Sequence, residues 1–106
     1  MKIKKILDKK KKYLIAVSGG VDSMCLLHYL NEDGFNLEVV HINHQTRGME
    51  NQKEQELVEA FCDMNNINIY TYKFKHEGNN FHDQARKFRD RTFYELVKKH
   101  KMAGVF

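Results

Sequence analysis

Residues 18–23 read Ser-Gly-Gly-Val-Asp-Ser, placing two hydroxyls, two glycines and a carboxylate within six positions. They separate an apolar run, Tyr13-Leu-Ile-Ala-Val17, from a second one beginning at Met24. A turn between a buried strand and a helix suits an anion, because the amides at the helix N-terminus point at it and the helix dipole favours negative charge. Gly19 and Gly20 allow backbone conformations and a close approach that a Cβ would forbid. Ser18 and Ser23 add hydroxyl donors for anionic oxygens. Asp22 is the odd member, since a bare carboxylate repels phosphate unless a divalent cation stands between them. The set predicts a magnesium–nucleotide complex, with Asp22 beside the metal.

Other turns of similar composition do not match. A Walker A loop needs Lys before its Ser or Thr, and none is present. The dinucleotide pattern GxGxxG is absent. A nucleophile elbow needs Gly two positions before Ser18, where Ala16 stands. A plain Gly-Gly turn accounts for the glycines but not for Ser-x-x-x-Asp-Ser.

The elements that position this turn follow from periodicity. Ile3, Ile6 and Leu7 have helical spacing within a lysine run. Tyr13–Ser18 is too short for a helix and reads as a buried strand. Residues 22–32 are apolar nearly all round, as in a well-buried helix, and close at Gly34. Leu37–Asn43 is a second strand. Residues 50–65 form a helix with Leu57, Val58, Phe61 and Cys62 on its apolar face. Residues 67–74, rich in β-branched and aromatic side chains, form a third strand. A long helix starts at Asn80 as N-cap and turns Phe81, Ala85, Phe88, Leu96 and Val97 inward. Met102–Phe106 begins another strand. Strands alternating with long helices predict an α/β fold, a doubly wound parallel sheet with helices on both faces. Ending on an apolar strand start, residues 1–106 read as the N-terminal part of a nucleotide-binding domain, truncated and incomplete at its C-terminus.

Composition bounds the function. A chain of 106 residues fits one small domain, and no apolar run approaches the length of a membrane span. No secretory signal pattern is present, so a cytoplasmic location is expected. Cys25 and Cys62 are too isolated for a disulfide framework or a CxxC metal site and read as core thiols. His41 and His44 make a weak zinc pair, because strand alternation turns them to opposite faces. The net charge of +4 hides a segregation: +6 over residues 1–12, −7 over 13–85 and +5 over 86–106. The usual reading of the first run is a solvated lysine-rich helix, while two basic ends could also meet a polyanion such as RNA.

Ser18–Ser23 resembles the SGGxDS signature of the PP-loop family, whose fold is of the adenine nucleotide alpha-hydrolase type and whose members split ATP to AMP and pyrophosphate. His41-Ile-Asn-His-Gln-Thr-Arg-Gly48 resembles the HxNHxLRG motif of tRNA(Ile)-lysidine synthetases. Asn79-Asn-Phe-His-Asp-Gln-Ala-Arg-Lys-Phe-Arg89 resembles a third segment of that family, with Phe93 and Glu95 in step. Thr46 and His82 depart from the family pattern. The resemblance implies a carbon–nitrogen ligase that uses ATP and Mg2+ to adenylate C2 of the wobble cytidine of isoleucine tRNA with a CAU anticodon, AMP then being displaced by L-lysine. It also implies that Ser18, Gly19, Gly20, Val21, Asp22 and Ser23 cradle the β- and γ-phosphates. Backbone at His41, Ile42 and Asn43 would meet adenine, and Arg47, Arg86 and Arg89 would reach phosphate or substrate. The family's further acidic segment and tRNA-gripping domains have no counterpart in these residues, so partial, weak ATP binding is expected of this chain alone. A thiolase of the same superfamily and a non-catalytic ATP-binding module are the alternatives.

Overall fold

The computed structural model describes residues 10–44, 49–74, 78 and 80–106. Strands and helices alternate as β1 (Lys12–Ala16), α1 (Val21–Glu32), β2 (Asn36–Asn43), α2 (Met49–Met64), β3 (Asn68–Lys73), α3 (Phe81–Lys99) and β4 (Gly104–Val105). All pairings are parallel and the order across the sheet is β3-β2-β1-β4. The chain thus steps outward from β1 to β3 and returns on the far side of β1. Right-handed crossovers in opposite directions place their helices on opposite faces, so α1 and α2 cover one side and α3 the other.

The core bears this out. Tyr13, Ile15 and Val17 alternate onto the face occupied by Leu27 and Leu30 of α1 and Val58 and Cys62 of α2. Leu14 and Val40 point to the other face, where Leu96 and Met102 are buried with them. The doubly wound sheet expected from the alternation is therefore present, and its reversal point lies between β1 and β4, directly below residues 18–23.

Each helix stops in the same way. The Phe35 amide reaches back to Leu30 O at 3.1 Å and that of Gly34 to Asn31 O at 3.1 Å. Ile67 reaches Cys62 O at 2.9 Å, and Met102 reaches Val97 O at 3.0 Å. This is the Schellman pattern, which needs a left-handed residue just before the returning apolar one. Gly34, Asn66 and Lys101 supply it, with φ of 87°, 55° and 53°.

Several expectations are corrected. α1 buries one stripe, Leu27 and Leu30, rather than its whole circumference. Cys25 falls off that stripe and is exposed, whereas Cys62 is fully buried. Burial, with Glu59 nearby, pushes the Cys62 thiol up to about 11. Leu57 is 52 % exposed, because Val58 and Cys62 already set the inward stripe of α2. Asn80 stands at the N-cap of α3 in a left-handed conformation and caps no amide with its side chain. The helix expected at Ile3, Ile6 and Leu7 lies outside the described residues. No helix among the described residues is long and apolar enough to cross a membrane.

Candidate nucleotide site

In an open parallel sheet, ligands bind beyond the carboxyl ends of the strands at the point where strand order reverses. Residues 18–23 occupy that point. Gly19 has φ +93°, and a Cβ there would lie 2.7 Å from Glu54 Cβ and 2.9 Å from Glu54 O. The turn is therefore pressed against α2 with no room for a side chain, and glycine is the only residue suited to the position.

The two serines close the turn on itself. Ser23 Oγ donates to Gly20 O at 3.1 Å and accepts from the Gly19 amide at 3.2 Å, while Ser18 Oγ accepts from the Gly20 amide at 3.2 Å. Since Ser23 has only one hydroxyl proton and gives it to Gly20, Ser18 is the donor in the 3.0 Å contact between the two hydroxyls. Both serine hydroxyls are thus engaged within the turn at the glycine amides, rather than pointing free outward. The amides of Val21, Asp22 and Ser23 precede the first helical hydrogen bond, from Met24 N to Gly20 O at 3.0 Å. Gly20 offers them no side-chain cap, so they are donors that α1 cannot satisfy. Asp22 is exposed on that first turn.

A cavity of about 400 Å³ opens beside the turn, lined by Ser18 and Ser23, by His41 and Ile42 of β2, by Asn51 and Glu54 of α2, and by Arg89 and Phe93 of α3. Ala16, Val17, Val40 and His44 complete the wall. β1 ends below it, and Val40 O is the last β2 carbonyl to receive a bond from that side, from Val17 N at 3.0 Å. Strand alternation turns the peptide groups of Ile42 the same way as those of Val40, into the space that β1 has left. Asn43 O faces β3 instead, accepting from Phe74 N at 2.8 Å, and the Asn43 side chain donates to Gln55 Oε1 at 3.1 Å. Of the three residues His41–Asn43, Ile42 therefore carries the open backbone edge.

His41 is buried and its Nδ1 donates to Val17 O at 2.8 Å, tying the top of β2 to the start of the turn. His44 lies one residue past β2, so alternation no longer governs it, and both histidines line the same cavity rather than opposite faces. Burial, then the neighbouring His41 and Arg89, hold the His44 ring below the usual histidine range. No three His, Cys, Asp or Glu residues among the described ones are grouped to hold a metal.

The arginines separate. Arg86 and Arg89 are both exposed, but Arg89, whose Nε lies 3.5 Å from Asp90 Oδ1, reaches the cavity wall, whereas Arg86 bonds Asp83 at 3.2 Å near the start of α3. Three residues along a helix is a rotation of 300°, which leaves the pair 60° apart, enough for one to border the cavity and the other to miss it. Arg47 lies outside the described residues. Val21 and Asp22 are on the outer side of the α1 turn and do not line the cavity. Asn51 and Glu54 were not singled out from the sequence. Their signal was available, for the buried stripe Val58 and Cys62 extended backwards along α2 arrives at Asn51 and the Glu54–Gln55 pair.

A PP-loop domain family pattern matches residues 1–105. The chain belongs to the PP-loop family. It is 40% identical over 95 residues to a tRNA(Ile)-lysidine synthase of Aster yellows witches'-broom phytoplasma, covering 90% of this chain and 22% of that protein. It is 38% identical over 105 residues to the protein of the same name in Clostridioides difficile, covering 89% of this chain and 22% of the relative. The Chlamydia pneumoniae protein of that name is 37% identical over 103 residues, which are 94% of this chain and 32% of the relative. The PP-loop chain thus spans between about a fifth and a third of the length of these relatives.

Proposed function

We propose that this chain carries the pyrophosphate-binding part of the ATP site of a tRNA(Ile)-lysidine synthase, and that the remaining catalytic and tRNA-holding groups belong to a longer protein. The observation that carries the reading is the Gly19 turn: a cradle without space for a Cβ, at the sheet's reversal point, backed by three helix amides that the protein does not satisfy. A triphosphate fits it. Its oxygens replace Ser18 and Ser23 Oγ at the glycine amides and take up the donors of Val21, Asp22 and Ser23. Magnesium bound to phosphates needs only one or two protein carboxylates, and Asp22 on the same turn is one. When bound, the metal supplies neutralising charge to the phosphates as negative charge redistributes in the reaction.

The adenine ring lies along the open Ile42 backbone edge between His41 and Asn43. Arg89 faces the cavity from the opposite wall and clamps either the α-phosphate or the cytidine base, and Arg47 and Arg86 are further candidates to reach phosphate or substrate. The substrates in this reading are isoleucine tRNA bearing CAU and L-lysine, in the cytoplasm. Relatives named as lysidine synthases support this branch over a thiolase.

Calorimetric titration of Mg·ATP into this chain, beside Asp22→Ala and with pyrophosphate as competitor, tests the site. Binding displaced by pyrophosphate and weakened about tenfold in Asp22→Ala is the expected result, one lost charge-mediated contact being worth on the order of 1.4 kcal/mol. A folded chain that binds no ATP, or binds it equally with Asp22→Ala, overturns the assignment of residues 18–23.

A further inference from the structure

The positive charge of the sequence is split between its two ends, and the fold joins them. β4 pairs with β1 so that Gly104 lies opposite Tyr13, and the Ala103 amide donates to Lys12 O at 2.7 Å. Lys10 and Lys11 therefore enter β1 at the corner of the sheet where α3 delivers Lys98, Lys99 and Lys101. Lys11, Lys98, Lys99 and Lys101 are all exposed. The dipole of α3 favours Lys98 and Lys99 at its last turn. It does not account for a second lysine run arriving there from the other end of the chain. Along the chain, Glu95 is the only acidic residue from Arg91 to Phe106, while Glu32 and Asp33, just before β2, stand at the same pole of the sheet. Glu38, buried beneath the corner, is engaged by Lys12 at 3.1 Å, by Tyr70 at 2.8 Å and by Asn68 at 3.1 Å.

An aromatic ring completes the surface. Tyr94 is 66% exposed, one turn before Lys98, whose Nζ lies 5.9 Å from the ring centroid. Clustered lysines beside an exposed flat ring suit a nucleic acid, whose phosphates meet the cations and whose unpaired bases stack on the ring. The corner stands at the amino ends of the strands, the pole opposite the cavity. The eight residues of β2 separate the poles by roughly 27 Å.

We propose that this lysine corner of β1, β4 and the end of α3 is a second RNA contact, gripping the phosphate backbone of the substrate RNA remote from the base that enters the cavity. The proposal rests on the reading that the substrate is RNA. Its test is fluorescence anisotropy of a labelled tRNA transcript with this chain across a salt series. The triple variant Lys11→Glu, Lys98→Glu, Lys99→Glu is compared with Lys53→Glu on the exposed side of α2. The triple variant is expected to bind roughly tenfold or more weakly and with a shallower salt dependence, because fewer counterions are released. Lys53→Glu and Mg·ATP binding should be unaffected. Lys→Gln at the same three positions, with a smaller loss in the same direction, keeps the test decisive if the reversal variant does not fold.

Wild-type chain that binds no tRNA overturns the proposal. So does equal weakening by Lys53→Glu, or lysine-dependent binding to anionic lipid vesicles without binding to tRNA. If Asp22→Ala leaves ATP binding intact while tRNA still depends on these lysines, the nucleotide assignment falls and this contact stands.

Discussion

Gly19 and Gly34 both take positive φ, and they separate backbone strain from close approach. Nothing lies within 4 Å of a Cβ built on Gly34, whereas one on Gly19 meets the Glu54 backbone. Gly34→Ala should therefore cost only the backbone term, roughly 1–2 kcal/mol, in urea unfolding. Gly19→Ala should cost more than that and abolish Mg·ATP binding, because α2 or the turn must move. Equal costs for the two would mean that the contact with α2 is not tight. The type of residue needed at 18–23 was legible in the sequence. That α2 supplies the wall was not, since nothing local to Gly19 specifies which helix lies against it.

Helix ends and strand faces yield two more expectations. Lys101 completes the third Schellman motif although it is not glycine, so Lys101→Gly should raise stability by about 1 kcal/mol in thermal or urea unfolding. A neutral or destabilising result would show that its left-handed backbone carries no strain. On β2, burial would by itself raise the Glu38 carboxyl, but hydrogen bonds from Tyr70, Asn68 and Lys12 outweigh it and hold the group below its ordinary 4.5. Burial first, then Glu38, pushes the Tyr70 hydroxyl up to about 12. Because the folded-state value of Glu38 is depressed, its contribution is present above pH 4.5 and is lost as pH falls through the lower folded value. Glu38→Gln should flatten the acid limb of a stability–pH curve below pH 4.5 and leave its shape above unchanged. Alternation predicted the strand but not this cluster, because Tyr70 and Asn68 come from β3 and Lys12 from β1.

The two faces of the sheet are unequal. Among the described residues, ten buried ones hold α1 and α2 to β1 and β2, against four on the α3 side. Local opening free energy follows buried apolar packing. Native-state hydrogen exchange should show α3 amides opening before those of β1, β2 and α1. Protection of α3 equal to that of β1 would contradict this ranking. The same α3 brings Arg89 and Phe93 to the cavity wall, so the less anchored face forms that wall.

Much was determined by the sequence alone. Alternating strand and helix periods impose parallel βαβ units, and Ser-Gly-Gly-Val-Asp-Ser after the first strand imposes a tight glycine turn that opens onto a helix N-terminus, because both depend on neighbours in the chain and on local backbone chemistry. The turning of Arg89 but not Arg86 into the cavity, the meeting of His41 and His44 on one wall, and the exposure of Cys25 depend on helix rotation and strand ends. Packing sets these to within a few tens of degrees, and residue types do not record them. The union of the two lysine runs depends on β4 returning to β1, a pairing between the ends of the chain that only the assembled sheet establishes.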